Sequence, residues 1–170
     1  MTKASRSVPK APAIQILVEE PRWREDAAVL RLVRRAMRLV LASVPAKANA
    51  KSVSILLSND AKLRTLNRSF RGKNKPTNVL SFVPADDPGS LGDIAMAFGT
   101  VEREARAQKK TLADHAAHLA MHGTLHLLGY DHEKSSDARR MEALEIELLA
   151  SLGVVDPYAP RPYTRRRKAS

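Results

Sequence analysis

The chain has 170 residues, 44% of them hydrophobic and 4% aromatic, which suffices for one domain with an aliphatic core. It contains no cysteine, so disulfides and thiolate metal sites are excluded, and a metal would have to bind through nitrogen and oxygen atoms. No apolar stretch approaches the length of a membrane span and no signal peptide is recognisable, so we expect no membrane partner and a cytoplasmic location.

The net charge of +11 is concentrated at the two ends of the chain. Residues 1–12 carry three positive charges, residues 161–170 carry five, and neither segment has an acidic residue. Segments of this composition cannot build a core, so we predict disordered basic extensions at 1–12 and 156–170 around a domain over 13–155. The charge favours binding to nucleic-acid phosphates, with a solubilising role of the tails as the alternative.

The first half of the chain predicts two strands, each followed by a helix. Ala13–Glu19 is an apolar run typical of a strand, and Asp26–Ser43 repeats its apolar residues at helical spacing. Lys51–Leu57 predicts the second strand. Asn59 then offers a side-chain cap for a helix that runs through Phe70.

Two further strands, Asn78–Val83 and Leu91–Phe98, are predicted next. Thr100 could cap a short helix that ends at Lys109. The following helix, Thr111–Leu128, would carry four of the five histidines of the chain.

The last predicted helix starts at a cap provided by Ser135 or Ser136 and is ended by Gly153. Together the elements predict an α+β fold: a single compact domain with one mixed four-stranded sheet packed by four to five helices.

Three histidines near the end of the histidine-bearing helix have the spacing of metal ligands. His122 and His126 are four residues apart, so their side chains leave the helix from one face. Gly129 can end the helix and turn the chain so that His132 reaches the other two. Three neutral imidazoles around one point form an open zinc site, so the sequence predicts one Zn²⁺ per chain and a metal-dependent hydrolase.

Two residues close to these histidines are candidates for supporting them. His118 shares the helix face of His122, but three ligands already complete an open site. We therefore expect His118 to orient a ligand imidazole or to pack in the core, and the same applies to His115. Asp131, next to His132, is expected either to orient a ligand ring or to hold the turn.

The histidine spacing is also that of elongated zinc-protease motifs. In those motifs a glutamate follows the first histidine and acts as general base, and here that position is Gly123. A zinc peptidase or amidohydrolase is therefore only an alternative hypothesis.

Three segments together resemble the YbeY family of bacterial rRNA maturation endoribonucleases. They are the histidine motif over 122–132, LNRSFRGKNKPTNVLSF over 66–82 and LGDIA over 91–95. The resemblance implies a zinc ion and single-strand-specific cleavage of RNA in rRNA processing, including 16S rRNA 3′-end maturation and ribosome quality control. It also implies ribosomal RNA and the 30S subunit as partners, with ribosomal proteins as further candidates.

By this resemblance the metal ligands fall on His122, His126 and His132, with His122 also counted as catalytic, and a functional arginine falls on Arg71. A guanidinium group can bind a phosphate through two parallel hydrogen bonds, and a metal-activated water would attack the phosphodiester. The nearby candidates for RNA binding are Lys73, Lys75 and Asn78. A second alternative is a ribosome assembly factor that does not cleave RNA and whose metal is structural.

Overall fold

The computed structural model describes residues 11–45 and 50–159, which contain four strands and five α-helices. The elements are β1 (Ala13–Val18), α1 (Ala27–Ser43), β2 (Ser52–Ser58), α2 (Asp60–Arg71), β3 (Val79–Phe82), β4 (Ser90–Ala97), α3 (Phe98–Ala107), α4 (Leu112–Leu127) and α5 (Ser135–Ser151). A short 3-10 helix over Pro21–Arg24 precedes α1 and was not predicted. The predicted α+β domain with one four-stranded sheet is confirmed.

The sheet has the strand order β1-β2-β4-β3. The first three of these strands run parallel, and β3 pairs antiparallel with β4, so the sheet is mixed as predicted. Ile55 of β2 pairs with Ile16 on one side and with Ile94 on the other. Side chains alternate along each strand, so these paired isoleucines lie on one face of the sheet and their neighbours in sequence lie on the other.

Helices cover both faces of the sheet. On one face α1 and α4 pack against β2 and β4, burying Val33 together with Ile55 and Ile94. On the other face α2 places Leu63 against Leu80 and Ala95. Such coverage is expected for a sheet with parallel strands, because the crossover connections place helices on its faces.

The central helix is α4, which contacts the sheet, α1 and α5. Its small residues Ala117 and Ala120 are fully buried and let the neighbouring elements approach closely. Ala36 of α1 and Met141 of α5 pack in the same cluster as Ala117. This packing holds α4 firmly and leaves one of its sides for the histidines. No helix among the described residues is long and apolar enough to cross a membrane.

Two of the predicted helix starts are wrong. The helix expected from Thr100 begins at Phe98, after Ala97, whose side chain provides no cap. The cap comes from α2, since Asp60 Oδ1 accepts the N–H of Thr100 in the first turn at 2.8 Å. The last helix follows Lys134 and has no side-chain cap, so neither Ser135 nor Ser136 acts as predicted.

The prediction that a disordered tail begins at residue 156 is wrong for its first residues. The side chain of Asp156 accepts the N–H of Tyr158 at 2.8 Å, and Lys110 Nζ donates to the carbonyl of Pro157 at 3.2 Å. At the other end Pro12 is buried, so the predicted N-terminal extension is also shorter than 1–12. Residues 1–10 and 160–170 lie outside the described residues, so for them disorder stays a prediction.

Candidate metal centre

The three histidines singled out by their spacing lie together in the structure. The ring centroids of His122 and His126 are 4.5 Å apart, and His132 lies 5.6 Å from the first and 4.9 Å from the second. One ring nitrogen from each of the three falls within 4.8 Å of the others. His122 and His126 are half-buried and His132 is exposed, so the group has one side open to solvent.

The end of α4 brings His132 to the other two. Gly129 has a φ of 92°, a left-handed conformation that favours glycine. Its N–H donates to the carbonyl of His126 at 3.0 Å, and the N–H of Tyr130 donates to the carbonyl of Leu125 at 3.1 Å. This pair of bonds is a Schellman motif, which ends the helix and reverses the chain.

Asp131 holds this turn. Its Oδ1 accepts the backbone N–H of His132 at 2.6 Å. Of the two roles considered for Asp131, stabilising the turn is the one for which the structure shows a contact. The carboxylate therefore fixes the backbone that carries His132, and no ring nitrogen of the described residues donates to it.

The proton positions of the two helical histidines suit metal binding. His122 Nδ1 lies 2.6 Å from Glu145 Oε1, and His126 Nδ1 lies 2.9 Å from the carbonyl of Tyr130. Both partners are hydrogen-bond acceptors, so each Nδ1 carries the proton and each Nε2 presents a lone pair. The two Nε2 atoms are 3.0 Å apart, and two lone pairs at that distance repel unless a cation lies beside both. His122, His126 and His132 therefore fit a metal ion.

Electrostatics keep His126 in the form that a metal requires. Burial lowers the pKa of His126, and the neighbouring His122 and His132 lower it further. The ring is therefore neutral around pH 7, and only the neutral ring has a free nitrogen lone pair for coordination.

Glu145 of α5 is a site residue that the sequence reasoning missed. It is fully buried and contacts His118, His122 and Tyr158. Burial by itself raises the pKa of Glu145, but the hydrogen bonds from these three side chains outweigh burial and lower the pKa to about 2. A carboxylate behind a ligand histidine is the usual partner that orients a metal-binding ring.

His118, the other support candidate, also meets this carboxylate. Its Nε2 lies 3.4 Å from Glu145 Oε2 and 3.3 Å from the hydroxyl of Tyr158. The neighbouring His115 points elsewhere, since its Nε2 lies 2.8 Å from Glu104 Oε2 and burial lowers its pKa. The structure thus separates His118, which lies behind the metal centre, from His115, which is part of the core.

Arg71 is the last residue of α2, at the start of an exposed basic loop. The buried Asn67 donates through Nδ2 to the carbonyl of Lys75 at 2.9 Å and so holds the loop against the helix. Arg71 and Lys73 point into a cavity of about 320 Å³. The guanidinium of Arg71 forms no hydrogen bond or ion pair with the described residues, so it is available to an anion.

A groove links the basic loop to the histidine helix. The cavity at Arg71 and a second cavity of about 460 Å³ share Asn78 and Glu104 in their walls. The second cavity is lined on its far side by His118 and Tyr158. Asn78 Nδ2 donates to Glu104 Oε2 at 3.0 Å, so these two side chains form the rim between the cavities.

The family described as Endoribonuclease YbeY matches residues 17–153 of the chain. The chain belongs to the YbeY family. Its relatives named Endoribonuclease YbeY include that of Bradyrhizobium diazoefficiens, 45% identical over 168 residues that cover 93% of this chain and 91% of the relative. The relative from Rhodopseudomonas palustris strain BisA53 is 46% identical over 156 residues, covering 87% and 91%.

A solved structure has a similar fold. The solution structure of a protein from Thermotoga maritima matches with a TM-score of 0.55 at 25% identity, covering 89% of this chain and 99% of that one. The resemblance to the YbeY family predicted from three motifs is therefore confirmed. The histidine group and Glu145 lie inside the segment that matches the YbeY family, whereas Tyr158 lies beyond its end.

Proposed function

We propose that this chain is a zinc-dependent, single-strand-specific endoribonuclease that acts in rRNA processing, at the 3′ end of the 16S rRNA, and in ribosome quality control. Its partners would be ribosomal RNA and the 30S subunit, in the cytoplasm, with ribosomal proteins as further candidates. Support comes from relatives named endoribonuclease over most of both chains. The observation that carries the proposal is the group of three histidines that can together hold a metal ion, with the exposed basic loop at Arg71 as a supporting observation.

The residues of the groove suit a phosphodiester substrate. Arg71, Lys73 and Lys75 are exposed cations on one short loop, and phosphate oxygens are their natural ligands. Arg71 can hold the scissile phosphate through two parallel hydrogen bonds, which a lysine cannot do. An open groove between a loop and a helix admits a single strand whose bases are unstacked, as required for single-strand specificity.

The histidines define where hydrolysis would occur. His122, His126 and His132 would hold Zn²⁺, which supplies polarisation of a bound water and of a phosphoryl oxygen. Glu145 and the carbonyl of Tyr130 keep the Nδ1 protons of the two helical rings away from that position. The chain itself therefore keeps the ligand rings oriented, and Arg71 places the phosphate.

The peptidase alternative is weakened by the position of Gly123. A Cβ at residue 123 would lie 3.0 Å from Ser81 Oγ and 3.1 Å from Ile94 Cγ2, which are atoms of the sheet. A glutamate at this position would therefore point at the sheet and not at the histidines. The general base of zinc proteases has no counterpart at this position.

The direct test is cleavage of a labelled single-stranded RNA by the zinc-loaded chain. We expect cleavage of the single strand, little cleavage of the matching duplex, and no hydrolysis of casein. The His126→Ala variant is the control for contaminating nucleases. RNA binding without cleavage by the zinc-loaded protein would instead favour the assembly factor with a structural metal.

A further inference from the structure

A carboxylate that is closed off from solvent lies directly behind His122. Glu145 is fully buried, and its Oε1 accepts from His122 Nδ1 at 2.6 Å. Its other oxygen, Oε2, is contacted by the hydroxyl of Tyr158 and by Nε2 of His118, the latter at 3.4 Å. Both oxygens of a single carboxylate are thus used, one towards the metal centre and one away from it.

The contacts of this cluster fit an arrangement of protons in which all three neighbours donate to Glu145. An ionised carboxylate only accepts hydrogen bonds, so His122 donates through Nδ1, His118 through Nε2 and Tyr158 through its hydroxyl. His118 Nδ1 is buried and has no partner among the described residues, which fits a nitrogen without a proton. The tautomer of His122 that leaves Nε2 free for a metal is therefore tied to the contacts on the far side of Glu145.

Tyr158 reaches Glu145 because the chain turns back after α5. Gly153, with a φ of 77°, ends the helix, and Val154 is buried against it. Asp156 Oδ1 then accepts the N–H of Tyr158 at 2.8 Å and shapes the turn. The Tyr158 ring meets that of His118 edge-on, with centroids 5.5 Å apart. The contact is therefore built by a defined turn and not by a loose end.

We propose that Tyr158 and His118 are positioning residues for the metal centre: they hold the Glu145 carboxylate, which in turn fixes the ring of His122. The group Glu145, His118 and Tyr158 is called the carboxylate clamp below. The proposal rests on the zinc centre of the proposed function. It extends the centre to Tyr158, which lies outside the segment 17–153.

A second metal ion is the competing explanation for the same side chains. Ligand atoms of His118, His122 and Glu145 also lie within 4.8 Å of one another. However, the 2.6 Å between His122 Nδ1 and Glu145 Oε1 is a direct hydrogen bond and leaves no space for a cation between them. The clamp therefore predicts a single metal site.

The test is a double-substitution cycle on zinc affinity, measured with the full chain by competition with a chromophoric chelator. Partners behind a metal ligand typically change affinity by about 10- to 100-fold. We expect a loss in that range for Glu145→Gln and a loss of about 3- to 10-fold for Tyr158→Phe.

The double variant should bind zinc as Glu145→Gln does, because Tyr158 acts through Glu145. Val155→Ala, an exposed neighbour of Tyr158, is the matched control and should bind as the wild type does.

A spectroscopic measurement separates positioning from simple structural support. In long-range ¹H–¹⁵N spectra of the zinc-loaded chain, the Nδ1 proton of His122 should be visible. In Tyr158→Phe it should exchange faster with water, while the melting temperature of the zinc-free protein stays close to that of Val155→Ala. This comparison remains decisive if Glu145→Gln fails to fold.

Each other outcome has a definite meaning. Wild-type zinc affinity and an unchanged His122 proton in Tyr158→Phe would overturn the clamp, and so would losses that simply add in the double variant. Two zinc ions per chain, falling to one in His118→Ala, would replace the clamp by a second metal site. A wild-type chain that binds no zinc would overturn the metal centre as well, so the two failures are distinguishable.

Discussion

At the scale of single residues, the proposed metal centre depends on oxygen atoms that are not among its ligands. Glu145 and the carbonyl of Tyr130 each take one Nδ1 proton, and this sets which nitrogens of His122 and His126 are free. A buried carboxylate is costly unless donors satisfy it, and here three side chains do so. Replacing a ligand histidine should therefore change zinc binding more than replacing a residue that only orients a ligand.

The first prediction separates a ligand from a support. In His126→Ala we expect zinc content to fall from about one ion per chain to near zero, because two imidazoles do not complete the site. In His118→Ala we expect about one ion to remain at saturating zinc, since His118 contacts Glu145 and is not among the three ligands. Elemental analysis measures both, and full zinc content in His126→Ala would refute the ligand assignment.

The second prediction concerns Arg71. In Arg71→Lys the charge is kept, but the two parallel hydrogen bonds to a phosphate are lost. We expect the cleavage rate of single-stranded RNA to fall by about two orders of magnitude with zinc content unchanged. Arg68→Lys, on the same helix, is the comparison variant and should cleave normally. A wild-type rate in Arg71→Lys would remove Arg71 from the site.

At the scale of elements, the position of His132 is determined by how α4 ends. A left-handed φ of 92° at Gly129 is strained for any other residue, although a Cβ there would meet no neighbouring atom. The strain would therefore act on the backbone, in the turn that places His132 beside the two helical rings.

The third prediction follows from this turn. Gly129→Ala should lower the free energy of unfolding by about 1–2 kcal/mol and also weaken zinc binding, because His132 moves relative to His122. Gly72→Ala is the matched control, with a φ of 67°, a Cβ in open space and a similar position at the end of α2. We expect it to lose similar stability in a urea titration but to keep its zinc affinity. Equal zinc affinities of the two variants would contradict the role of the turn.

Sequence patterns predicted the elements well where the signal was local. The short apolar runs placed the strands to within one residue, and Asn59 was correctly predicted as the cap of α2. The prediction at Thr100 failed because the first turn of α3 is capped by Asp60, a residue 40 positions away, which accepts the N–H of Thr100. A contact between α2 and α3 leaves no trace in the residues around Thr100.

The site shows the same division between local and distant signals. The spacing of His122, His126 and Gly129 is local, and it predicted which rings come together. Glu145 was missed because it lies in the apolar stripe of α5, one helical turn from the buried Met141 and Leu148, where an apolar residue is usual. An acidic residue at helical spacing within such a stripe was the available signal. Glu145 faces His122 only because α5 packs on α4, and this packing cannot be predicted from a single sequence.

At the scale of the whole molecule, the order of the strands in the sheet determines which elements lie beside α4. β2 lies between β1 and β4, and β3 at the edge is antiparallel, an order that single-strand patterns cannot predict. It places β3 next to α4, since Ser81 Oγ donates to the carbonyl of Gly123. The basic loop and His118 of α4 line neighbouring cavities that share Asn78 and Glu104, and this arrangement depends on tertiary topology.

The last prediction concerns the net charge. Residues 161–170 carry five positive charges and no negative ones, and they follow Tyr158, so their removal spares the ligands, Arg71 and the carboxylate clamp. Each phosphate contact made by such residues releases counterions, at a slope of about −0.7 per contact on single strands, so deletion should flatten log affinity against log salt by up to about 3.5 units. Zinc content and the cleavage step should stay unchanged.

The measurement is a salt titration of RNA binding for the full and the shortened chain, with a full-length variant carrying glutamine at the five basic positions as control. The glutamine variant should behave like the deletion, because charge and not length acts on the RNA. Identical slopes in all three proteins would mean that this segment does not contact RNA.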